Sequence, residues 1–388
     1  MKYYLKVGIE HFAFGLILPV SIIWKLHNGL SLLQAADTEA LVLIVTAIVN
    51  LPAGVFADRF GNKKSLLVGG ALHAIAMALL AYGGSLLVFT LAAILSGAAW
   101  AFITGADEAY IHDDYIKDKK HYQHTYANAS IVDEATTVGG MLASSLVLLT
   151  HANLRILFIV AGACLFANVL YTSMYLPNRH QGASYKPTRL SFAGFKAGLL
   201  DSRKLLPLFL VFAILYESGR VLWQPQMASI GIDVTNFGLA FAFFKLLSIG
   251  GTYLARKQTF SVKKLVTVFV LMSASLALFG LHSLVVSIAA LSVFLATENY
   301  FRIYMSATLN KAIQRNRATL LSVSGVATNL AGSGLIVVAG FFGEKSILIA
   351  LLVLVACKIP AIVYVLWTHR AMIKANDVQP MPIGVNEV

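Results

Sequence analysis

Gly54-Val-Phe-Ala-Asp58-Arg59-Phe-Gly61-Asn-Lys63-Lys64-Ser65 lies between two apolar runs, LVLIVTAIVNLPAG (41–54) and LLVGGALHAIAMALLAYGG (66–84). Four charges crowd this gap in a chain that is 58% hydrophobic and only 12% charged. Soluble domains carry about 25% charged residues. The flanking runs belong to apolar segments of about 20 residues, the length that crosses a hydrocarbon core of about 30 Å. The gap therefore reads as a loop joining two membrane-spanning helices. The same reading extends along all 388 residues, whose mean hydropathy is +0.75. A membrane β-barrel would alternate apolar and polar residues in strands of about ten, and these runs do not.

Gaps rich in charge, Gly, Pro or Asn divide the chain into twelve expected spans. Their limits are about 5–25, 36–57, 65–84, 86–111, 124–150, 154–176, 205–230, 234–255, 263–282, 284–309, 318–342 and 347–368. The polar segment 177–204 separates two sets of six. The expected architecture is all-α, with two pseudo-symmetric six-helix bundles at 1–176 and 205–370, the linker 177–204 and a tail at 371–388. With the N-terminus inside, 23 of the 30 Lys and Arg fall on the inner side and only Lys25, Arg155 and Lys345 on the outer. The positive-inside rule then puts both termini and the opening stretch in the cytoplasm. The net charge of +12 is spent on this asymmetry, so no nucleic-acid partner is expected. Cys164 and Cys357 fall in apolar runs and form neither a disulfide framework nor a metal site. Lys2 and Lys6 precede an apolar stretch without a clear cleavage site, which reads as a retained first helix.

Three echoes at about half the chain length suggest an internal duplication. Gly54 and Arg59 are matched by Gly251 and Arg256, Asp107-Glu108-Ala-Tyr110 by Thr297-Glu298-Asn-Tyr300, and Ala135–Gly140 by Ala327–Gly332. Such repeats characterise secondary transporters, which bind substrate between the repeats near the midplane.

Gly54-x-x-x-Asp58-Arg59-x-Gly61-x-Lys63-Lys64, between spans two and three on the cytoplasmic side, resembles the signature loop of the major facilitator superfamily, specifically its multidrug-efflux branch. The twelve-span layout and central linker extend the resemblance over about 5–370. It implies that Gly54, Asp58, Arg59, Gly61 and Lys63 form a gating latch, with Asp113 as the acidic partner at the end of span four. Gly54 is expected to allow close helix approach, and Gly61 a tight turn. Span four lacks the buried Arg of many members, and span five keeps only Gly139-Gly140 of the antiporter motif. Transport direction is therefore not settled by the resemblance.

An ionised group at the bilayer centre costs about 2.5–3.5 kcal/mol on insertion scales, so each one within a span is a functional candidate. At about 1.5 Å per residue, Glu217 lies about 18 Å into span seven and Glu298 about 21 Å into span ten. Arg220 and Arg302 follow them at i+3 and i+4, on the same helix faces. These pairs are either intrahelical neutralising pairs or a cavity in which Glu217 or Glu298 takes a proton. Asp133 or Glu134 in span five is a further proton site. Glu108, the repeat partner of Glu298, and Glu10 in span one, beside His11, complete the candidates. Asp107 suits an inner gate. His73 reads as an interior histidine. Lys358 lies near Pro360, a helix break that lets it snorkel.

No Walker loop, H-E-x-x-H or G-x-S-x-G motif occurs, which argues against an ATPase or an enzyme. The expected function is proton-coupled antiport in a bacterial cytoplasmic membrane: alternating-access efflux of an amphipathic, drug-like solute by a monomer without cofactors or metal. An organic anion or zwitterion (siderophore, sugar derivative or amino acid) is the alternative cargo. A non-transporting sensor is the reading outside that class.

Overall fold

A computed structural model describes residues 2–115, 122–150, 153–178, 219–257, 262–312 and 317–375. Among these there is no strand. The helices are α1 Lys2–Ile17, α2 Ser21–His27, α3 Leu32–Phe60, α4 Asn62–Tyr82, α5 Leu86–Ala109, α6 Tyr122–Thr150, α7 Arg155–Tyr175, α8 Trp223–Ser229, α9 Phe237–Lys257, α10 Val262–Phe279, α11 Leu284–Ala312, α12 Arg317–Gly343 and α13 Ile347–Ala375. A π-helical turn, Tyr110–Tyr115, follows α5. Among the described residues, eight helices are long and apolar enough to span a membrane. The α1–α2 pair, bent by 44°, makes a ninth. The expected spans eight and nine keep shorter apolar stretches, Val234–Ser248 and Val266–Phe279. Most of the expected span 205–230 lies outside the described residues.

The helix boundaries follow from local sequence. Ser31 accepts a hydrogen bond from the Gln34 backbone N–H while the Gln34 side chain accepts from the Ser31 N–H, a reciprocal N-cap for α3. Gly61 stands between α3 and α4 with φ +94°, a left-handed turn that glycine adopts without strain. Pro19 explains the first break: it has no N–H to donate and its ring blocks the preceding turn. Pro360, by contrast, lies within the continuous helix α13.

Helices α1 to α7 contact one another, through α1–α6, α1–α7, α3–α5, α4–α5 and α4–α7. Helices α9 to α13 form a second group through α9–α11, α10–α11, α10–α13 and α12–α13. The groups meet where α3 packs on α12, α6 on α9, and α2 on α8. The end of the molecule that holds Lys2, Gly61 and Tyr175 is called here the basic end; the far end holds His27, Ser31, Gly83 and Glu344.

Glycines map the tightness of these contacts. A β-carbon on Gly140 would overlap Phe12 O and the Gly15 backbone, so α1 and α6 cross at a glycine pair. Near the far end, a β-carbon on Gly340 would overlap Ala36, and one on Gly238 would overlap Met141 O. Gly54 on α3 and Gly325 and Gly334 on α12 have open space where a β-carbon would stand. In this structure Gly54 thus does not provide the close helix approach expected of it, and the tight glycine contacts between the groups, at Gly238 and Gly340, lie at the far end.

This packing predicts that Gly140→Ala costs about 1–3 kcal/mol through overpacking. Gly105→Ala, where a β-carbon meets nothing, should be neutral or stabilising by up to about 1 kcal/mol from helix propensity. Thermal unfolding of the purified variants checks both; equal losses would contradict the packing.

Candidate functional site

Two cavities are lined by the charged candidates, and a larger one, about 980 Å³, opens at the far end between Trp24, His27, Leu148 and Arg155 of the first group and Asp233 and Thr235 of the second. One, about 270 Å³, lies in the first group and is lined by Glu10, His11, Trp100, Thr104, Asp107 and Asp133 among others. The second, about 350 Å³, is lined by Arg220, Trp223, Phe241, Lys245, Glu298 and Asn299 among others, and Leu18 of the first group reaches into it. Trp223 and Phe241 stack at 4.1 Å, forming an aromatic shelf.

The acidic wall of the first cavity is held by hydrogen bonds. Lys6 Nζ lies 2.6 Å from Glu10 Oε2 and 2.8 Å from Asp107 Oδ1, and Tyr3 Oη donates to Asp107 Oδ2 at 2.7 Å. Lys6 and Glu10 are only 3% and 4% exposed. Lys6 is therefore a buried counter-charge, not one of the surface charges among which the sequence count places it. A buried pair of this kind is costly to break, because the survivor keeps its desolvation penalty. One turn along α1, His11 Nδ1 lies 2.6 Å from Asp133 Oδ1, which also accepts from Thr137 Oγ1 at 3.2 Å. His73 is buried between Phe14 and Trp100, with ring centroids 5.1 and 5.0 Å away, and its Nδ1 has no partner among the described residues.

Two sets of ionic contacts cross between the groups. Glu134 of α6 binds Lys245 of α9 at 2.9 Å. Toward the far end, Lys25 Nζ lies 2.6 Å from Glu39 Oε1 and 2.8 Å from Thr38 Oγ1, while Arg220 of the second group approaches Glu39 Oε2 at 3.7 Å. Alongside, the Gln224 side chain enters the break that Pro19 makes. Its Oε1 accepts from the Ile22 and Ile23 N–H groups at 2.8 and 3.1 Å, and its Nε2 donates to Leu18 O at 3.1 Å. One glutamine amide thus replaces missing rungs of the first helix. Glu344, just past α12, accepts from the Leu33 N–H at 3.1 Å in the first turn of α3, where the helix dipole favours an anion. Hydrogen bonds from Ser31 and Leu33 hold its carboxyl below the usual range. The sign follows: this contact is present at neutral pH and is lost as pH falls through the lowered value.

The candidates proposed from sequence divide three ways. Glu10, Asp133, Glu134, Arg220 and Glu298 line the cavities or join their walls. Arg220 also approaches Glu39 of the other group. Glu217 lies outside the described residues, as do the side chains of Glu108, Arg302 and Asp113. In the latch, Asp58 and Arg59 are exposed. Asp58 makes no ion pair or hydrogen bond among the described residues, and the Arg59 guanidinium lies 5.2 Å from the Phe60 ring centroid. Lys63 instead donates to Ser173 O and Leu176 O at 2.8 and 2.7 Å, tying α4 to the end of α7. Sequence reasoning passed over Glu39 and the bonding of Gln224. A carboxylate one turn inside span two and a Pro19 in span one were the available signals.

These observations define a multi-pass helical membrane protein built of two helix groups, with charged cavities inside it. The Major Facilitator Superfamily profile matches residues 7–339, and the chain belongs to that family, one of transporters and not of enzymes. An uncharacterized MFS-type transporter of Bacillus subtilis strain 168, YxaM, is 20% identical over 245 residues, 62% of this chain. The match spans about three fifths, 61%, of that relative's length. Multidrug resistance protein 2 of the same organism is 27% identical over 126 residues, 32% of each chain. Among solved structures, an inward-facing bacterial homologue of the human lysosomal transporter Spinster superposes with a TM-score of 0.76 at 16% identity, covering 98% of both chains. The nucleoside transporter NupG follows with 0.71 at 16%, covering 95% of this chain and 99% of that one. At these identities the likeness concerns the fold.

Replacing Gln224 by Leu leaves the Ile22 and Ile23 N–H groups without their acceptor. Burying an unsatisfied group costs about 1–3 kcal/mol, about five- to 150-fold in the closed-to-open ratio. In a cysteine-free background carrying Leu33→Cys, Gln224→Leu should speed labelling by a membrane-impermeant thiol reagent by about that factor. An unchanged rate would show that the amide does not hold the far end shut.

Proposed function

We propose that the protein is a secondary active transporter that carries a small organic solute across a bacterial cytoplasmic membrane by alternating access, with proton-coupled efflux of amphipathic compounds as its direction and cargo. The observation that carries the reading is the His11–Asp133 pair on the cavity wall, next in sequence to the Glu134–Lys245 bridge between the groups. A proton arriving at this pair changes the charge beside a contact that spans the two moving parts. Electrostatics then links protonation to their separation. The aromatic shelf of Trp223 and Phe241 suits an apolar body, and the short match to a multidrug resistance protein favours efflux. Arg220 and Lys245 near the same shelf support a second reading, in which the cargo is an organic anion or zwitterion.

The Lys and Arg asymmetry supports a cytoplasmic basic end with both termini inside, and the tight contacts at the far end support an inward-open reading of this conformer. The units 1–176 and 205–370, joined by 177–204, act as the rocking halves of a monomer. In the opposite conformer, the halves close at the basic end over Gly54. There Asp58, Arg59, Gly61 and Lys63, with Asp113, form the latch.

Purified protein in liposomes under an imposed pH gradient, with lumenal pH followed as a panel of amphipathic cations, anions and zwitterions is added, tests the proposal. One class should drive proton flux, and Asp133→Asn should reduce it tenfold or more while leaving the fold intact. Folded protein that moves no protons with any compound contradicts proton coupling, and full flux in Asp133→Asn removes the proposed site.

A further inference from the structure

The far-end cavity, about 980 Å³, is a cleft whose walls come from both groups: Ile23, Trp24, His27 and Arg155 of the first, Asp233 and Val234 of the second, among others. Sites for drug-sized ligands run from about 300 to 1,000 Å³. The cleft shares no wall residue with the second cavity. The Gln224 amide bonds to a wall residue of each, accepting from the Ile23 N–H of the cleft and donating to Leu18 O of the second cavity. The cleft is thus an outer chamber, separated from the second cavity by the contact that joins the groups.

Its floor is rigid and apolar. Trp24 is only 4% exposed, and its Nε1 donates to Leu80 O at 2.7 Å. Asn28 Nδ2 donates to Trp24 O at 2.8 Å, while Asn28 Oδ1 accepts from the Gly84 N–H at 3.0 Å. His27 stacks on Trp24 with ring centroids 6.1 Å apart. The rim carries exposed charge of both signs. Arg155 donates to Tyr82 O at 3.3 Å through Nη2, which leaves most of its five donors open. Asp233 accepts from the Thr235 N–H and hydroxyl with one oxygen, Oδ1, at 2.8 and 2.7 Å. Neither forms an ion pair among the described residues. Lys358, by contrast, does not snorkel past Pro360 as the sequence suggests but is fully buried; Arg155 and Asp233 are open to a ligand from solution.

We infer that this cleft binds an aromatic zwitterion from the solution at the far end, with its carboxylate on Arg155, its ammonium on Asp233 and its apolar body against Trp24, and that the bound molecule holds the far end shut. A solute of one sign answers only one side of the rim, whereas a zwitterion complements both. Because the cation belongs to the first group and the carboxylate to the second, the ligand bridges the groups and parting them dismantles its site. A ligand favours the state that holds its site, and opening the far end weakens the ligand by the same factor. The molecule then acts as an inhibitor from outside and not as cargo. That effect on transport rests on the rocking of the two groups; the binding does not.

Nε-dansyl-lysine is the probe, with a free carboxylate and ammonium beside an environment-sensitive aromatic body. On the full-length protein in lipid nanodiscs, dansyl emission excited through tryptophan should saturate. The apparent Kd should rise about fivefold in Arg155→Gln and in Asp233→Asn, the second of which keeps an acceptor for Thr235. Dansylcadaverine, which lacks the carboxylate, should bind more weakly and ignore Arg155→Gln. In the cysteine-free Leu33→Cys protein, saturating dansyl-lysine should slow labelling by the impermeant thiol reagent; Leu33 is not a wall residue of the cleft, so the slowing reports closure and not cover. Gln224→Leu should weaken the probe. No saturable binding, or binding that either charge substitution leaves unchanged, overturns the site. Binding that both weaken but that leaves the labelling rate unchanged overturns the hold on the far end. Binding and protection in a protein that moves no solute would sink the transport reading and leave this inference standing.

Discussion

A broken helix inside a bilayer leaves backbone N–H and C=O groups with no water to bond, and each such group is costly. Pro19 makes such a break between Ile17 and Ser21, and the groups are satisfied from across the molecule by Gln224. This constraint organises the far end. The break is comfortable only while Gln224 is seated or while water reaches it. The first state needs the two groups closed at this end, and the second needs them parted. Intermediate positions, dry but unpaired, are penalised. Gly340 against Ala36 and Gly238 against Met141 bring the backbones close enough for the amide to reach.

The buried charges sort by the same criterion. Lys6, Glu10, Asp107 and Tyr3 all belong to the first group and can stay paired whatever the two groups do. Glu134–Lys245 and Lys25–Glu39–Arg220 are shared between groups. Parting the groups exposes these ions to water, which offsets the lost attraction. Such contacts suit a structure with two states of similar energy, because neither state strands an unpaired charge in hydrocarbon.

Much of the fold was legible because membrane spans are written in length and polarity, the two properties that a bilayer reads directly. GVFADRFGNKKS marked a loop, Gly61 does turn the chain there, and α3 and α4 end and begin on either side. The site was legible only as an inventory. Asp133 and Glu134 stood out as carboxylates, but the sequence could not say that one pairs with His11 of its own group and the other with Lys245 of the opposite one. For Arg220, spacing reports only local contacts on its own helix. Its approach to Glu39 crosses 181 positions of sequence. Lys6 looked like a surface charge because counting cannot see burial.

The central claim is that this conformer, held together at the far end by Gln224 and Glu344, is one of two states related by rocking. Paired spin labels test it most directly, with one pair replacing Ser31 and Lys345 at the far end and another replacing Phe60 and Ala312 at the basic end. The account predicts that, as pH or an identified solute shifts the population, the far-end distance lengthens while the basic-end distance shortens, in the same protein and over the same titration. Distances that both stay fixed, or that lengthen together, would contradict it.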